Sequence, residues 1–152
     1  MIISNKRIVD LIGCVILTCL FFLPMVIIAI MISSTSKGPV LFWSARIGIN
    51  NKIFKMPKFR TMLISSPVVA THLIENFDEL LSPIGSFLRR FSLDEVPQLY
   101  SILKGDMSFV GPRPALYNQF DLIEMRKIKG IDKLTPGLTG WAQINGRDSI
   151  SL

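Results

Sequence analysis

Residues 11–32 form a run of 22 positions with no charged side chain, nearly all of them apolar. Wound as a helix, a run of that length spans a bilayer core of about 30 Å. The whole chain has 152 residues, enough for one domain with a modest core. It is 49% hydrophobic, and the excess over an ordinary soluble protein sits in this run. A secretory signal peptide would begin with charges such as Lys6 and Arg7. The run is too long for one, and no small-residue cleavage site follows it cleanly.

Pro24 lies near the middle of the run. It has no N–H to donate and its ring clashes with the preceding turn, so it predicts a kink. Basic residues flank both ends, Lys6 and Arg7 before and Lys37 and Arg46 after. Positive flanks are both drawn to the same side of a membrane. A kinked helix that dips in and returns satisfies both ends, whereas a straight crossing satisfies one. The expected organisation is therefore a membrane anchor over residues 1–36, a re-entrant helix hairpin, followed by a catalytic domain over 37–152. The expected fold class is α+β, mainly helical, with a small cytosol-facing domain after the anchor.

Net charge is +6, and it too is localised. Residues 33–62 carry six basic side chains (Lys37, Arg46, Lys52, Lys55, Lys58, Arg60) and no acidic one. Beside an apolar segment this suggests anionic lipid headgroups or phosphates; a solvated basic loop is the plainer alternative. No nucleic-acid partner is expected, because no aromatic-interleaved or zinc-binding motif accompanies the charge. Both cysteines, Cys14 and Cys19, lie in the apolar run, leaving none for a disulfide, a zinc site or a nucleophile in the polar part. The one histidine, His72, reads as a surface residue. Chemistry here must rely on carboxylates and cations.

Along the polar part, 40–43 suits a strand or interface packing, 47–51 a turn with Gly48 and two asparagines, and 53–62 a strand alternating apolar and basic residues. Residues 65–67 read as a loop, 68–81 as a helix and 84–91 as a short helix bearing Arg89 and Arg90. At 92–95 the sequence SLDE is a helix-start signature. Asp94 as the cap puts Pro97 in the first turn, where a missing N–H costs little. The helix then runs on to a stop at Gly105. The Gly- and Pro-rich 105–115 is non-helical and ordered, 116–129 is helical, 135–137 a turn, and 140–147 a loop or short strand. Trp141 is expected in the core.

Adjacent carboxylates on a helix diverge around its axis. Asp94 and Glu95 therefore suit a division of labour in which one oxygen attacks and the other binds a cation. A helix start would hold Asp94 ionised and attract a phosphate, and a carboxylate attacking phosphorus is an established covalent strategy. Mg²⁺ commonly takes one or two carboxylates plus substrate phosphate oxygens, so Glu95 and Asp94 are the candidate metal ligands. Lys58, Arg60, Arg89 and Arg113 are the candidate phosphate contacts. The plain alternatives are a helix cap at 92–95 and an exposed turn at Arg113.

At these residues the chain resembles the bacterial sugar transferases, the monotopic polyprenyl-phosphate phosphoglycosyl transferases. The matching motifs run in order: Lys6-Arg7 with Asp10, GPVLF (38–42), Arg46 with Gly48, KFRTM (58–62), LRRFSLDEVPQL (88–99), LKGDMSFVGPRP (103–114) and PGLTGWAQINGR (136–147). The resemblance implies a re-entrant anchor and an active site at the cytoplasmic face of the bacterial inner membrane. It implies that Asp94 attacks the β-phosphate of a UDP-sugar, expels UMP and passes the phosphosugar to undecaprenyl phosphate. Glu95 would be tied to Mg²⁺, Arg89 would contact phosphate, and Pro112, Arg113 and Pro114 would belong to the nucleotide site. Membrane lipids and later glycosyltransferases of the same surface-glycan pathway are the further partners it implies. The segment 67–71 and the run 115–119 look like those of members using N-acetylated 6-deoxy sugars. Departures are Leu23 before Pro24, where Ser is frequent, Ser44-Ala45 before Arg46, and Asn51 for a frequent glycine. The chain stops at Leu152, where members continue with further helical structure, so a catalytically impaired truncated relative is one alternative expectation. A membrane-tethered module that binds anionic lipids is another.

Overall fold

The computed structural model describes residues 5–66 and 77–145. Its longest element is α1 (Asn5–Thr35), 31 residues or about 46 Å of helix. Residues on both sides of Pro24 are helical, so the missing N–H is absorbed within one continuous element. Two stripes explain how α1 sits. Asp10, Cys14, Leu17, Phe21, Met25, Ile28 and Ile32 recur at helical spacing and turn toward the rest of the chain. Val9, Ile12, Ile16, Leu20, Leu23, Ile27 and Ile30 form a second stripe that is exposed and wholly apolar. Only 11% of the most apolar window of α1 is buried. A helix apolar on both faces calls for lipid around the uncovered one.

The remaining strands and α-helices among the described residues are β1 (Leu41–Ile47), β2 (Ile53–Phe59), α2 (Gly85–Arg90), α3 (Leu99–Lys104), β3 (Ser108–Val110), α4 (Phe120–Ile128), β4 (Gly137–Thr139) and α5 (Trp141–Ile144), with short 3₁₀ helices between them. The fold is mixed helix and sheet. β1 and β2 form an antiparallel hairpin in register from Leu41 against Phe59 to Ile47 against Ile53. Its turn needs left-handed backbone, and Asn50 and Asn51 supply it at φ 53° and 57°. β3 and β4 pair in parallel, Ser108 with Gly137 and Val110 with Thr139, with α4 in the crossover. Any Cβ on Gly137 would collide with the backbone of Gly111, so glycine lets the chains close there.

Two cores flank β2. Phe54 and Met56 pack with Cys14, Leu99, Ile102 and Met107, while Phe59 packs with Ile28, Ile32 and Leu88. Each core takes a different half of α1, so both ends of the helix rest on the same body. Polar bonds pin them. Arg7 donates to the carbonyls of Ile102 and Leu103 at 2.5 and 2.6 Å, in the last turn of α3, where Ile102 O also accepts from Gly105 N. Lys6 donates to Val110 O at 2.8 Å. The buried Asp10 Oδ1 accepts from Ser108 Oγ and Phe109 N, each at 3.1 Å. At the other end, Arg60 donates to Ser36 O and Oγ at 2.9 and 2.7 Å.

Several expectations need correcting. Residues 93–98 (Leu93–Gln98) are a 3₁₀ helix, and α3 begins only at Leu99. Its cap is Ser92, in left-handed backbone at φ 56° with no side-chain capping bond, so Asp94 is inside the helix and not its cap. Its i to i+3 bonding tightens the chain around Pro97. Gly105 does end α3, at φ 96°. Gly137, the last residue of the turn expected at 135–137, instead opens a strand, Gly137–Thr139. Residues 141–144 are helical rather than loop or strand, and Trp141 is 79% exposed instead of in the core. The helix expected over 68–81 lies mostly outside the described residues, as does His72; its end, Phe77–Leu80, is a 3₁₀ turn.

Asp10→Ala would leave Ser108 and Phe109 without their acceptor, a cost of about 1–3 kcal/mol for buried donors. Thermal or denaturant unfolding of the protein in detergent should report that loss, and Asp10→Asn, which keeps a carbonyl acceptor, should lose less. An unchanged midpoint in Asp10→Ala would contradict this anchoring.

Candidate functional site

Asp94 and Glu95 occupy the 3₁₀ helix between α2 and α3, against β2. Ser92 makes this placement possible: its left-handed backbone swings the chain from the end of α2 back across β2. Asp94 is buried, 7% exposed. Lys58 reaches from β2 to Glu95, Nζ to Oε1 at 2.7 Å, and Arg113 approaches the same oxygen through Nη2 at 3.4 Å. Arg89, in the last turn of α2, donates from Nε to Thr61 Oγ1 at 2.9 Å, and its charge acts on both carboxylates.

The electrostatics follow from burial and these neighbours. Burial raises the Asp94 carboxyl above its ordinary range; Lys58 and Arg89 pull it back, while Glu95 pushes the same way as burial. Burial also works against the charged form of Glu95, but Lys58 and Arg113 outweigh it and leave that carboxyl below its ordinary value. Burial lowers the Lys58 ammonium, countered by Glu95 and then Asp94. Two carboxylates thus face Lys58, Arg89 and Arg113, with Arg46 also in the field of Glu95, so positive charge is in excess before any ligand arrives. Such a site tolerates ionised carboxylates and attracts anions such as phosphate.

Arg113 is held by its backbone. Arg46 Nη1 donates to Pro114 O at 3.2 Å, and Arg126 Nη1 donates to Arg113 O at 2.7 Å. Gly137 N donates to Pro112 O at 2.9 Å, tying the same loop to β4. Burial, with Arg113 nearby, pushes the Arg46 guanidinium down to about 10, so it stays charged at neutral pH. Sequence reasoning gave neither Arg46 nor Arg126 a part in the site. Arg46 alternates with Ser44 along β1 and bonds its hydroxyl at 3.0 Å, a signal that strand periodicity carries. Arg126 carries no comparable signal, because the partner it finds is a backbone carbonyl remote along the chain.

Of the candidate residues, the structure brings together Asp94, Glu95, Lys58, Arg89 and Arg113. Pro112 and Pro114 stiffen the Arg113 loop and present carbonyls to Gly137 and Arg46. Arg60 stands apart: it is buried on Ser36, at the end of α1. Beside Glu95 and Arg113 opens a cavity of about 350 Å³, walled on one side by Leu17 and Phe21 of α1 and on the other by Leu138, Ala142 and Gln143. Among the described residues no three His, Cys, Asp or Glu side chains gather as a ready-made metal site. The segment 67–71 lies outside the described residues.

The family model for bacterial sugar transferases matches residues 2–152. The undecaprenyl-phosphate glucose phosphotransferase of Komagataeibacter xylinus is 39% identical over 148 residues, covering 93% of this chain and 28% of that protein. The UDP-glucose:undecaprenyl-phosphate glucose-1-phosphate transferase of Escherichia coli (strain K12) is 40% identical over 146 residues, 93% of this chain and 31% of that one. The uncharacterized sugar transferase EpsL of Bacillus subtilis (strain 168) is 36% identical over 146 residues, 96% and 71% of the two chains. The chain spans about a third of the length of the first two relatives. With nearly its whole length matched, the chain belongs to the bacterial sugar transferase family.

Proposed function

We propose that this chain moves a sugar-1-phosphate from a UDP-sugar to undecaprenyl phosphate through a covalent phosphosugar on Asp94, the initiating step of a surface polysaccharide. The observation that carries the proposal is the buried Asp94 carboxylate set beside Glu95 within reach of the charges of Lys58, Arg89 and Arg113. Relatives named for undecaprenyl-phosphate sugar-phosphate transfer supply the substrate class.

In the first step an Asp94 oxygen attacks the β-phosphorus of the donor. The bond from that phosphorus to the bridging oxygen breaks, and UMP leaves with the oxygen and its electron pair. In the second, a phosphate oxygen of undecaprenyl phosphate attacks the same phosphorus and the bond to Asp94 breaks, restoring the carboxylate. Both nucleophiles are anions, so no base is required, in keeping with a chain that has a single histidine. Phosphoryl transfer of this kind depends on positioning and charge stabilisation. Lys58 holds Glu95, Arg89 stabilises the charge on Asp94, and Arg113 offers its guanidinium toward the phosphates. Loss of solvation at Asp94, which raises its basicity, makes the oxygen a better nucleophile than an exposed carboxylate.

Asp94 and Glu95 are also the residues that would hold Mg²⁺. Glu95 Oε1 is taken by Lys58 and Arg113, so two carboxylates fit only as part of a shell that substrate phosphates complete, which is the usual way this ion is bound. Bound there, the ion would neutralise phosphate charge. The anchor is read as re-entrant, with the domain on the cytoplasmic face of the inner membrane. Both ends of α1 rest on one body, a geometry that accords with a helix entering and leaving by the same face. The lipid-linked product would be the acceptor for later glycosyltransferases.

Purified protein in nanodiscs, given a panel of UDP-sugars, undecaprenyl phosphate and Mg²⁺, should release UMP and form a lipid-linked phosphosugar with at least one donor. Asp94→Asn should lower both by more than about 10³-fold. Loss of neither product in Asp94→Asn, or silence with every donor, would refute the proposal. Lys58→Met should move the acid limb of the pH–rate profile upward. Removing the ammonium raises both carboxyl pKa values, so ionisation and activity are lost at a higher pH as the solution is acidified. Lys58→Arg should leave the limb closer to its original place. An unmoved limb in Lys58→Met would show that neither carboxylate governs the rate.

A further inference from the structure

The loop that carries Arg113 is held by its carbonyls, and four in a row accept hydrogen bonds from other elements. Gly137 N of β4 donates to Pro112 O at 2.9 Å, and Arg126 Nη1 of α4 donates to Arg113 O at 2.7 Å. Arg46 Nη1 of β1 donates to Pro114 O at 3.2 Å, and Ile47 N to Ala115 O at 3.0 Å. The first two bonds bear most directly on the Arg113 side chain. They hold the peptide planes on either side of its Cα, and those two planes set the direction of the Cα–Cβ bond. The prolines narrow the backbone further. Pro112 has a fixed φ, and Pro114 disfavours helical backbone at the residue before it. With both planes held, the side-chain torsions alone carry the guanidinium to 3.4 Å from Glu95 Oε1.

Arg126 differs from the other three donors. Gly137 and Ile47 donate from strand backbone, and Arg46 also lies in the field of Glu95. The cations that shift Asp94 and Glu95 are Lys58, Arg89 and Arg113, and Arg126 is not among them. Nor does it line the cavity beside Glu95. It lines a separate one of about 20 Å³, with Ile47, Ile131, Leu134 and Pro136, too small for any part of a nucleotide-sugar. We propose that Arg126 is a positioning residue for donor binding: held on Arg113 O, it sets the direction in which Arg113 leaves the backbone, and it touches no substrate itself. The inference rests on the reading of Arg113 as a phosphate contact and extends it to a residue on another element. α4 buries none of its residues fully, and this bond gives it a task in the site. A guanidinium suits the task, because its charge survives partial burial and strengthens its bond to a carbonyl.

The test measures binding of UDP to the full chain in nanodiscs with Mg²⁺. UDP carries both phosphates of the proposed donor, and its binding needs no turnover. Arg113→Ala should weaken it about tenfold or more. Arg126→Met should weaken it about threefold to tenfold, and Arg126→Lys, which keeps a charged donor, should recover part of that loss. In the Arg113→Ala background, Arg126→Met should weaken binding no further, because the guanidinium it aims is gone. An equal loss in both backgrounds would mean general damage to the fold or a direct contact with the nucleotide, and either overturns the proposal. Undiminished binding in Arg126→Met, with weakened binding in Arg113→Ala, overturns the positioning role and leaves the phosphate contact standing. Undiminished binding in Arg113→Ala overturns both.

Discussion

The ion pair between Lys58 Nζ and Glu95 Oε1, 2.7 Å long and largely shielded from water, joins a strand to the turn that carries both carboxylates. A pair like this adds little net stability, because removing two charges from water costs about what their attraction returns. What it supplies is placement. β2 packs Phe54, Met56 and Phe59 into cores built on the two halves of α1, and from the same strand it sends Lys58 to Glu95. The membrane helix and the carboxylates are therefore registered to one seven-residue strand. Around that register, Arg89 is oriented by Thr61, just past the end of β2, and Arg113 is steadied by Arg46 and Arg126 acting on its loop.

The arrangement divides cations by task. Lys58, Arg89 and Arg113 act on the carboxylates, Arg46 both feels the charge of Glu95 and bonds Pro114 O, and Arg126 and Arg60 bond protein carbonyls or hydroxyls and hold backbone in place. Arginine suits the second task because its charge survives burial and its planar fork meets a carbonyl without losing much freedom. The basic stretch at residues 33–62 is accordingly not one phosphate-binding surface. Lys58 belongs to the site, Arg46 braces it, and Arg60 fastens the far end of α1.

Much of this was legible in the sequence where a local rule decides it. The apolar run gave α1, the alternation at 53–62 gave β2 although the strand ends at Phe59, the two asparagines gave the hairpin turn, and Gly105 gave the end of α3. Asp94, Glu95 and three of the cations were legible as residues, but not their mutual placement. The parallel pair of β3 and β4 was not legible, because strands of three residues show no period and their pairing joins segments some thirty positions apart. Capping by Asp94, read from the position of Pro97, failed because the tighter 3₁₀ helix starts earlier, at Leu93, from a left-handed Ser92. Trp141 was misplaced for a different reason: the expectation that tryptophan is buried assumes water outside, and α5 carries it exposed together with the apolar Ile144.

The whole scheme turns on a transient bond between phosphorus and one oxygen at position 94. Mass spectrometry of the protein after incubation with a reactive UDP-sugar and Mg²⁺, with no lipid acceptor present, examines that bond. The expected result is a phosphosugar mass on the peptide containing Asp94, formed together with UMP and discharged when undecaprenyl phosphate is added. UMP release that occurs only in the presence of the acceptor, with the peptide never modified, would mean that the sugar phosphate passes straight from donor to lipid and that Asp94 has another role.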